Sequence, residues 1–347
     1  MNSYCSFLVA NPYHLSSLKS LNSIDDWSLE MNSDPSGRYW FSSTGVIHQI
    51  SHPSALGSQL ADDIPGKLMV FKADEITANN IIQLICASYD VLEGNPTDRI
   101  GLRSAFEIPC DVEKQRSLFC NVFQTHGYFE KFVHRPELPV AIHIATKAWR
   151  DKSLIYAIHK LARSVAIDSI TWWSAAPMYG QVFEKSSEYY SEHVSTSVAI
   201  NLAFSAIEEL QLQIKSSSEK KRFIDNKAGF WNPEVLKDIK CRLHESGIDP
   251  EQKVRWILRG DESPAENNVK PKRGNLIDEH NVAIRDIELN LPDAIHYCSY
   301  IRNFMTAHRF SENSSFLGPY DVHNVQCVAR RLILSKCGMW NVECVGS

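Results

Sequence analysis

Apolar residues in the first 140 positions occur in short runs separated by turn residues, which indicates strands with occasional helix. Residues 67–72 form one such run after a glycine, and residues 38–50 hold two runs around a Ser/Thr/Gly turn. These runs predict a buried strand and a hairpin. Residues 76–88 carry apolar side chains at helical spacing, and the Gly-Asn-Pro sequence that starts at Gly94 predicts the end of that helix.

Beyond residue 140 the apolar spacing becomes helical. In the clearest stretch an apolar residue recurs at every fourth position from Val194 to Ile214, which predicts a long amphipathic helix. Asn-Pro and Asp-Pro pairs predict two further helix starts, because an asparagine or aspartate caps a helix whose first residue is proline. Together these signals predict helices over residues 141–167, 194–214, 233–245, 250–260, 292–307 and 319–338.

The change in spacing coincides with a proline-punctuated tract, which predicts a domain boundary. Pro136 and Pro139 lie in this tract, and we place the boundary near residue 140. The expected fold class is an α+β N-terminal domain over residues 1–140 followed by an all-α helical bundle over residues 141–347. Within the second domain, the polar residues 261–280 are expected to form an exposed, mobile loop.

Composition narrows the classes of protein to which the chain can belong. It has 347 residues, a net charge of −5 and a pI of about 6.2, which excludes a uniformly basic nucleic-acid coat but not a local basic groove. Nine cysteines without a CxxC pair favour reduced thiols over a disulfide framework or a structural zinc site. Without a signal peptide or an apolar stretch of membrane-spanning length, the expected location is cytoplasmic.

One segment combines the residue types that cut RNA without a metal. Arg302 and Asn303 lie near the end of a predicted helix, and His308 follows them. Since ribose carries a 2′-hydroxyl beside each phosphodiester, cleavage requires only proton transfer and stabilisation of the extra phosphorane charge. An imidazole transfers protons near neutral pH, and a guanidinium holds two phosphate oxygens. Asn303 is expected to orient the imidazole or to donate to phosphate, and no cofactor or metal is required.

The same segment resembles the motif of the HEPN superfamily, most closely its Apea-like branch. That motif is an arginine, commonly followed by a small polar residue, with a histidine four to six residues beyond, as in Arg302, Asn303 and His308. The predicted helix that ends in AINLAFSAIEEL resembles the first core helix of the family, which makes Glu208 and Glu209 candidates for a supporting acidic group. The resemblance covers about residues 190–340.

The resemblance implies a helical bundle with endoribonuclease activity. It also implies a homodimer, because two HEPN protomers usually pair so that both motifs line one cleft. Arg302 and His308 are six positions apart and do not share a face of an ideal helix, so they converge only if the helix ends first or both reach a shared cleft. The Apea-like branch further implies prokaryotic anti-phage defence, with residues 1–140 as a sensor or regulatory domain whose trigger the sequence does not identify.

The sequence allows alternative roles for several of these residues. Arg302 is alternatively an ion-pair partner of Glu208 or Glu209 that holds helices in register, and His308 is alternatively a helix C-terminal cap. The expected partner is RNA, with tRNA as a target by analogy. The alternative function is a catalytically inactive HEPN module that binds a nucleotide or a protein partner. Basic residues that are expected either to guide RNA or to be solvated are Lys220, Lys221, Arg222, Arg330 and Arg331.

Overall fold

The computed structural model describes residues 3–6, 29–32, 68–72, 74–94, 106–107, 138–168, 190–225, 230–258, 285–307, 309–310, 314, 317 and 319–340. The described part is mostly helical with a few short strands. The hairpin predicted over residues 38–50 and the loop predicted over residues 261–280 lie outside the described residues.

The chain divides into two compact units, residues 1–92 with 97–150 and residues 93–96 with 151–347. Among its described residues, the first unit contains an antiparallel sheet in the order β2-β3-β1-β4, together with two helices. The assignment of residues 1–140 as a sensor domain stays a prediction. The elements of this unit are β1 (Ser3–Ser6), β2 (Leu29–Asn32), β3 (Leu68–Lys72), α1 (Glu75–Glu93), β4 (Phe106–Glu107) and α2 (Leu138–Ala148).

Two elements predicted in the first unit are confirmed. The apolar run at residues 67–72 forms β3, and the helical pattern at residues 76–88 forms α1. Helix α1 ends at Gly94, whose φ of +66° is the left-handed conformation that favours glycine after a helix.

The second unit is built from helices that are interrupted by two short antiparallel strand pairs. The expectation of an all-α second domain is therefore wrong in this respect, because β5 pairs with β6 and β7 pairs with β8. Its elements are α3 (Lys152–Ile167), α4 (Tyr190–Glu209), β5 (Phe223–Asp225), β6 (Phe230–Trp231), α5 (Pro233–Glu245), β7 (Lys253–Leu258), β8 (Arg285–Asn290), α6 (Leu291–Ile301), a π-turn (Arg302–Thr306) and α7 (Pro319–Lys336).

Residues 141–167 form two helices rather than the single one predicted. Asp151 adopts an extended backbone between α2 and α3, and its carboxylate accepts a hydrogen bond from the Leu154 amide at 3.1 Å. This side chain satisfies one of the amides left unpaired at the start of α3, so a new helix begins here instead of the first one continuing.

Helix α4 packs against α3, α6, α7 and the π-turn, and its buried face agrees with the predicted row only in part. Val194 and Val198 at the start of the row are 58% and 41% exposed, whereas Ala206 in the same row and the predicted neighbours Ala203 and Ile207 are fully buried. A row of residues at every fourth position drifts around the helix by about 40° per step, because each residue turns about 100°. The contact face instead follows the mixed spacing of three and four. The helix also ends at Glu209, five residues before the predicted end.

The helix predicted over residues 250–260 is wrong, because residues Lys253–Leu258 of this segment form β7. Val254 and Trp256 are each 2% exposed, whereas Lys253 and Arg255, which alternate with them along the chain, face solvent. That alternation is the period of a strand, and pairing with β8 stabilises it. The helices predicted over residues 233–245, 292–307 and 319–338 are confirmed as α5, α6 with the π-turn, and α7.

Candidate active site

The Arg302 motif lies in a π-turn that extends α6. The Ala307 amide donates to the Arg302 carbonyl, five residues earlier, at 2.9 Å. Such turns widen the helix by one residue and are frequently found at functional sites. The predicted helix over residues 292–307 therefore changes its geometry at the first residue of the candidate motif.

Arg302 is held in place while its side chain remains partly exposed. One of its terminal nitrogens, Nη1, donates to Asn303 Oδ1 at 2.8 Å, and its guanidinium carbon lies 5.9 Å from the centre of the Phe204 ring on α4. Among the described residues, Arg302 contacts no carboxylate. Within the described part of the structure, the positive charge of Arg302 is therefore stabilised only weakly, by the amide oxygen of Asn303 and the face of the Phe204 ring.

The two candidate glutamates have different surroundings. Glu209 forms an ion pair with Lys160 of α3 at 2.6 Å, and Lys160 also donates to Ser205 Oγ at 2.8 Å. Glu208 lies one helical turn beyond Phe204 and is partly exposed, and within the described part of the chain its carboxylate has no hydrogen-bond partner. Among the described residues, neither glutamate forms the ion pair with Arg302 that the alternative interpretation requires.

A second contact joins the π-turn to α4. The Thr306 hydroxyl lies 3.0 Å from Asn201 Oδ1 and 3.0 Å from the Arg302 carbonyl. Asn201, Phe204 and Glu208 recur at intervals of three and four and so share one face of α4. This face packs against the π-turn, and its Phe204 ring contacts the Arg302 guanidinium.

Asn303 connects Arg302 to a chain of polar groups along α6. Its Nδ2 donates to Ser299 Oγ at 3.3 Å, and the same hydroxyl accepts from Arg222 Nη2 at 3.3 Å. Arg222 Nη1 then donates to His296 Nδ1 at 2.6 Å. Asn303 thus uses its oxygen for Arg302 and its nitrogen for Ser299. His296 and Ser299 were not predicted from the sequence, although both lie in one helical row with Asn303 at intervals of three and four.

His296 is a neutral imidazole in an aromatic enclosure. Its ring is edge-on to Phe223 at 4.7 Å and to Trp231 at 5.6 Å, and Trp231 donates from Nε1 to Asp293 Oδ1 at 2.7 Å. Burial lowers the pKa of His296 to about 3, and the charge of Arg222 adds to that shift. Since Nδ1 accepts from a guanidinium, the ring proton is on Nε2. A histidine with this pKa is not a proton donor near neutral pH.

The low pKa of His296 makes the stability of the protein depend on pH. In the unfolded chain His296 becomes protonated below its ordinary pKa of about 6.5, whereas in the folded protein it stays neutral until the pH approaches 3. The free energy of unfolding that this group contributes is therefore complete above pH 6.5 and is lost as the pH falls towards 3. We expect His296→Asn, whose oxygen still accepts from Arg222, to reduce the slope of stability against pH between 6.5 and 4 by about 1.4 kcal/mol per pH unit.

Urea unfolding of both proteins at several pH values measures this slope. Burial raises the pKa of Asp293, which acts in the opposite direction, but Asp293 is present in both proteins and cancels in the comparison. Parallel curves for the wild type and the variant would contradict a buried, neutral His296.

His308 lies outside the described residues, but several of its neighbours are described. Ala307, Arg309 and Phe310 are exposed. The Phe310 ring stands edge-on to His193 of α4 at 5.2 Å, and His193 Nε2 lies 2.8 Å from the Ser314 carbonyl oxygen. Because a carbonyl only accepts, the Nε2 of this buried histidine carries a proton. The sequence analysis did not identify His193, which no short motif marks.

The five basic candidates for RNA contact fall into two groups. Before β5, Lys221 is exposed and the partly exposed Lys220 pairs with Glu234 at 3.3 Å, whereas Arg222 turns inward to His296. On α7, Arg330 donates to Cys327 Sγ at 3.4 Å. Arg331 donates to Gln252 Oε1 at 3.1 Å and stacks 4.5 Å over the ring centre of Trp340. Contact of any of the five with RNA stays a prediction.

The described residues contain neither a group of candidate metal ligands nor a helix that could span a membrane. Nowhere in the described ranges do three His, Cys, Asp or Glu side chains come together as a metal-binding group. Among the helices described, none has the length and apolar character needed to cross a bilayer.

Comparison with known proteins identifies no relative of this chain. Neither a protein-family model, a curated protein nor a solved structure matches this chain significantly. The HEPN resemblance therefore rests on the motif and its position in the sequence, and it stays a prediction.

Proposed function

We propose that this protein is a metal-independent endoribonuclease of the HEPN type, with Arg302 and His308 as its catalytic residues. The observation that carries the proposal is the state of Arg302, a partly exposed guanidinium that is held by Asn303 and Phe204 and contacts no carboxylate among the described residues. A structural arginine is usually neutralised by an acidic partner. An arginine that binds phosphate needs both its charge and an open approach.

The proposed reaction is attack by a ribose 2′-hydroxyl on the adjacent phosphorus. The 2′-oxygen–phosphorus bond forms as the bond from phosphorus to the 5′-oxygen breaks, which leaves a 2′,3′-cyclic phosphate and a 5′-hydroxyl. His308 transfers protons at the attacking or leaving oxygen, and Arg302 stabilises the additional negative charge on the phosphorane. Asn303 acts as a positioning residue, because its amide already bonds both Arg302 and Ser299.

Two protomers are proposed to bring their motifs to one cleft. The exposed residues Ala307, Arg309 and Phe310 flank His308 on a surface that a second copy can cover. In this arrangement Glu208 supports the site, and Lys220 and Lys221 guide the backbone of the RNA, for which tRNA is the analogous target. Anti-phage defence, with residues 1–140 responding to infection, is the cellular role that the sequence resemblance implies.

The purified full-length protein is expected to cut tRNA or total RNA in the presence of EDTA. Cloning and sequencing of the fragments through their 2′,3′-cyclic phosphate ends measures both the chemistry and the positions of cleavage. Light scattering on the same sample is expected to give the mass of a dimer. Binding of RNA without cleavage in EDTA would favour the inactive module, and cleavage that EDTA abolishes would contradict the proposed mechanism.

A further inference from the structure

Helix α7 carries a cluster of cysteine, histidine and arginine that takes no part in the proposed cleavage step. His323, Cys327 and Arg330 are each partly exposed and lie at intervals of four and three, on one face of the helix. Cys327 Sγ lies 3.4 Å from His323 Nε2 and 3.9 Å from His323 Nδ1. Arg330 donates from Nη2 to the same sulfur at 3.4 Å.

Arg330 also lies close to the backbone of Gly94. A Cβ added at Gly94 would lie 2.3 Å from Arg330 Nη1, so the guanidinium occupies the space that any larger residue at 94 would need. Residues 93–96 belong to the same compact unit as α7. Glycine at position 94 therefore leaves room for the guanidinium that bonds the Cys327 sulfur.

The surroundings of Cys327 favour a thiolate. Burial of the sulfur opposes the charged form, but the hydrogen bond and charge of His323, followed by those of Arg330, outweigh it and lower the pKa of Cys327 to about 7. From the packed helix α6 the facing titratable group is Cys298, whose own pKa burial raises well above its usual range. Among the described residues, no carboxylate contacts the sulfur.

We propose that Cys327 is a thiolate modification site for small hydroperoxides, with His323 and Arg330 as its positioning residues. The thiolate sulfur attacks the terminal oxygen of the peroxide, and the sulfur–oxygen bond forms as the oxygen–oxygen bond breaks. The sulfur is oxidised by two electrons to a sulfenic acid. The peroxide is reduced to an alkoxide or hydroxide, which takes a proton from water. The neighbouring guanidinium stabilises the negative charge that develops on the leaving oxygen.

The dependence of alkylation on pH tests the thiolate. In the reduced full-length protein, the rate of iodoacetamide labelling of each cysteine is measured by peptide mapping between pH 5.5 and 9.5. Labelling of Cys327 is expected to be half-maximal near pH 7. This midpoint is independent of how accessible the sulfur is, which separates reactivity from exposure. The exposed Cys241 supplies a reference thiol within the same molecule.

Two variants show whether the neighbours act through the sulfur. Arg330→Gln and His323→Asn are expected to move the Cys327 midpoint upward, whereas Arg330→Lys, which keeps the cation, is expected to move it less. Circular dichroism verifies that each variant is folded. A midpoint near that of an ordinary thiol, about pH 8.5, or one that neither variant changes, would overturn the proposal.

Oxidation is measured on the same protein with one equivalent of hydrogen peroxide and dimedone, which traps sulfenic acids. The adduct is expected at Cys327 at about three times the level at Cys241, because a larger thiolate fraction outweighs the lower nucleophilicity of a more acidic thiol. Cys327→Ser should remove this adduct and leave labelling of Cys241 unchanged. Equal labelling of the two cysteines would overturn the proposed site, and none of these readouts depends on RNA cleavage.

Discussion

Arg302→Ala is expected to lower the rate of RNA cleavage by about 100- to 1,000-fold, the usual loss when a group that stabilises transition-state charge is removed. Arg302 has a hydrogen bond to Asn303 and a ring contact with Phe204 that hold its charge in place, and alanine supplies neither charge nor donors. Single-turnover cleavage of tRNA by the wild type and the variant measures the effect. Arg302→Lys should recover part of the rate, since lysine keeps the charge but not the bidentate geometry.

The matched control is Arg163→Ala. Arg163 is an exposed arginine of α3, so its removal changes the net charge equally while leaving the π-turn intact. His308→Ala should lower cleavage by about 100- to 10,000-fold, as expected for a proton-transfer group. Thermal melting identifies variants that lose activity by unfolding. If folded Arg302→Ala cleaved RNA as fast as Arg163→Ala, the proposed role of Arg302 would be wrong.

Asn324→Ala is expected to lower the free energy of unfolding of the second unit by about 3 kcal/mol. Asn324 on α7 is 2% exposed, accepts from the Ile257 amide at 2.9 Å and donates to the Ile257 carbonyl at 2.8 Å. Both backbone groups of Ile257 point to the same side of β7, so the Asn324 amide takes the place of a neighbouring strand. Alanine leaves a buried donor and a buried acceptor unpaired, at about 1–3 kcal/mol each.

Urea unfolding and hydrogen exchange of the Ile257 amide measure this effect together. Asn232→Ala is the matched comparison, because Asn232 caps α5 through a hydrogen bond from the Glu234 amide at 3.1 Å and its loss is expected to cost only about 1 kcal/mol. Asn324→Asp keeps the shape of the side chain but removes the donor, so it should also destabilise the unit. A loss for Asn324→Ala no larger than that for Asn232→Ala would show that α7 does not depend on this contact with β7.

The two proposed sites lie on neighbouring helices, α6 and α7. Arg302 extends from the end of α6, and Cys327 lies on α7, which packs against α6. Cys298, on the turn of α6 before Arg302, is buried; burial raises its pKa well above the usual range, and the charge of Cys327 adds to that shift. Loss of cleavage in Arg302→Ala with unchanged Cys327 labelling would establish that the two activities are separable.

The sequence by itself predicted those features that depend on a few neighbouring residues. The Asn232–Pro233 pair predicted the start of α5, Gly94 predicted the end of α1, and Gly338 predicted the end of α7. These predictions succeeded because caps, prolines and glycines act on the backbone within about one helical turn. The position of Arg302 and Asn303 near the end of a helix was predicted from the helical spacing of the apolar residues between Ala294 and Met305.

Only the tertiary structure decided features that involve residues far apart in the sequence. The chain of polar groups from Arg302 to His296 depends on Arg222, which is 74 residues before His296. No local spacing indicates that this arginine turns inward while Lys221 beside it remains exposed. Packing likewise selected the buried face of α4, and pairing with β8 made a strand of residues expected to be helical. Where a segment is able to form either a helix or a strand, burial and long-range pairing outweigh its local conformational preference.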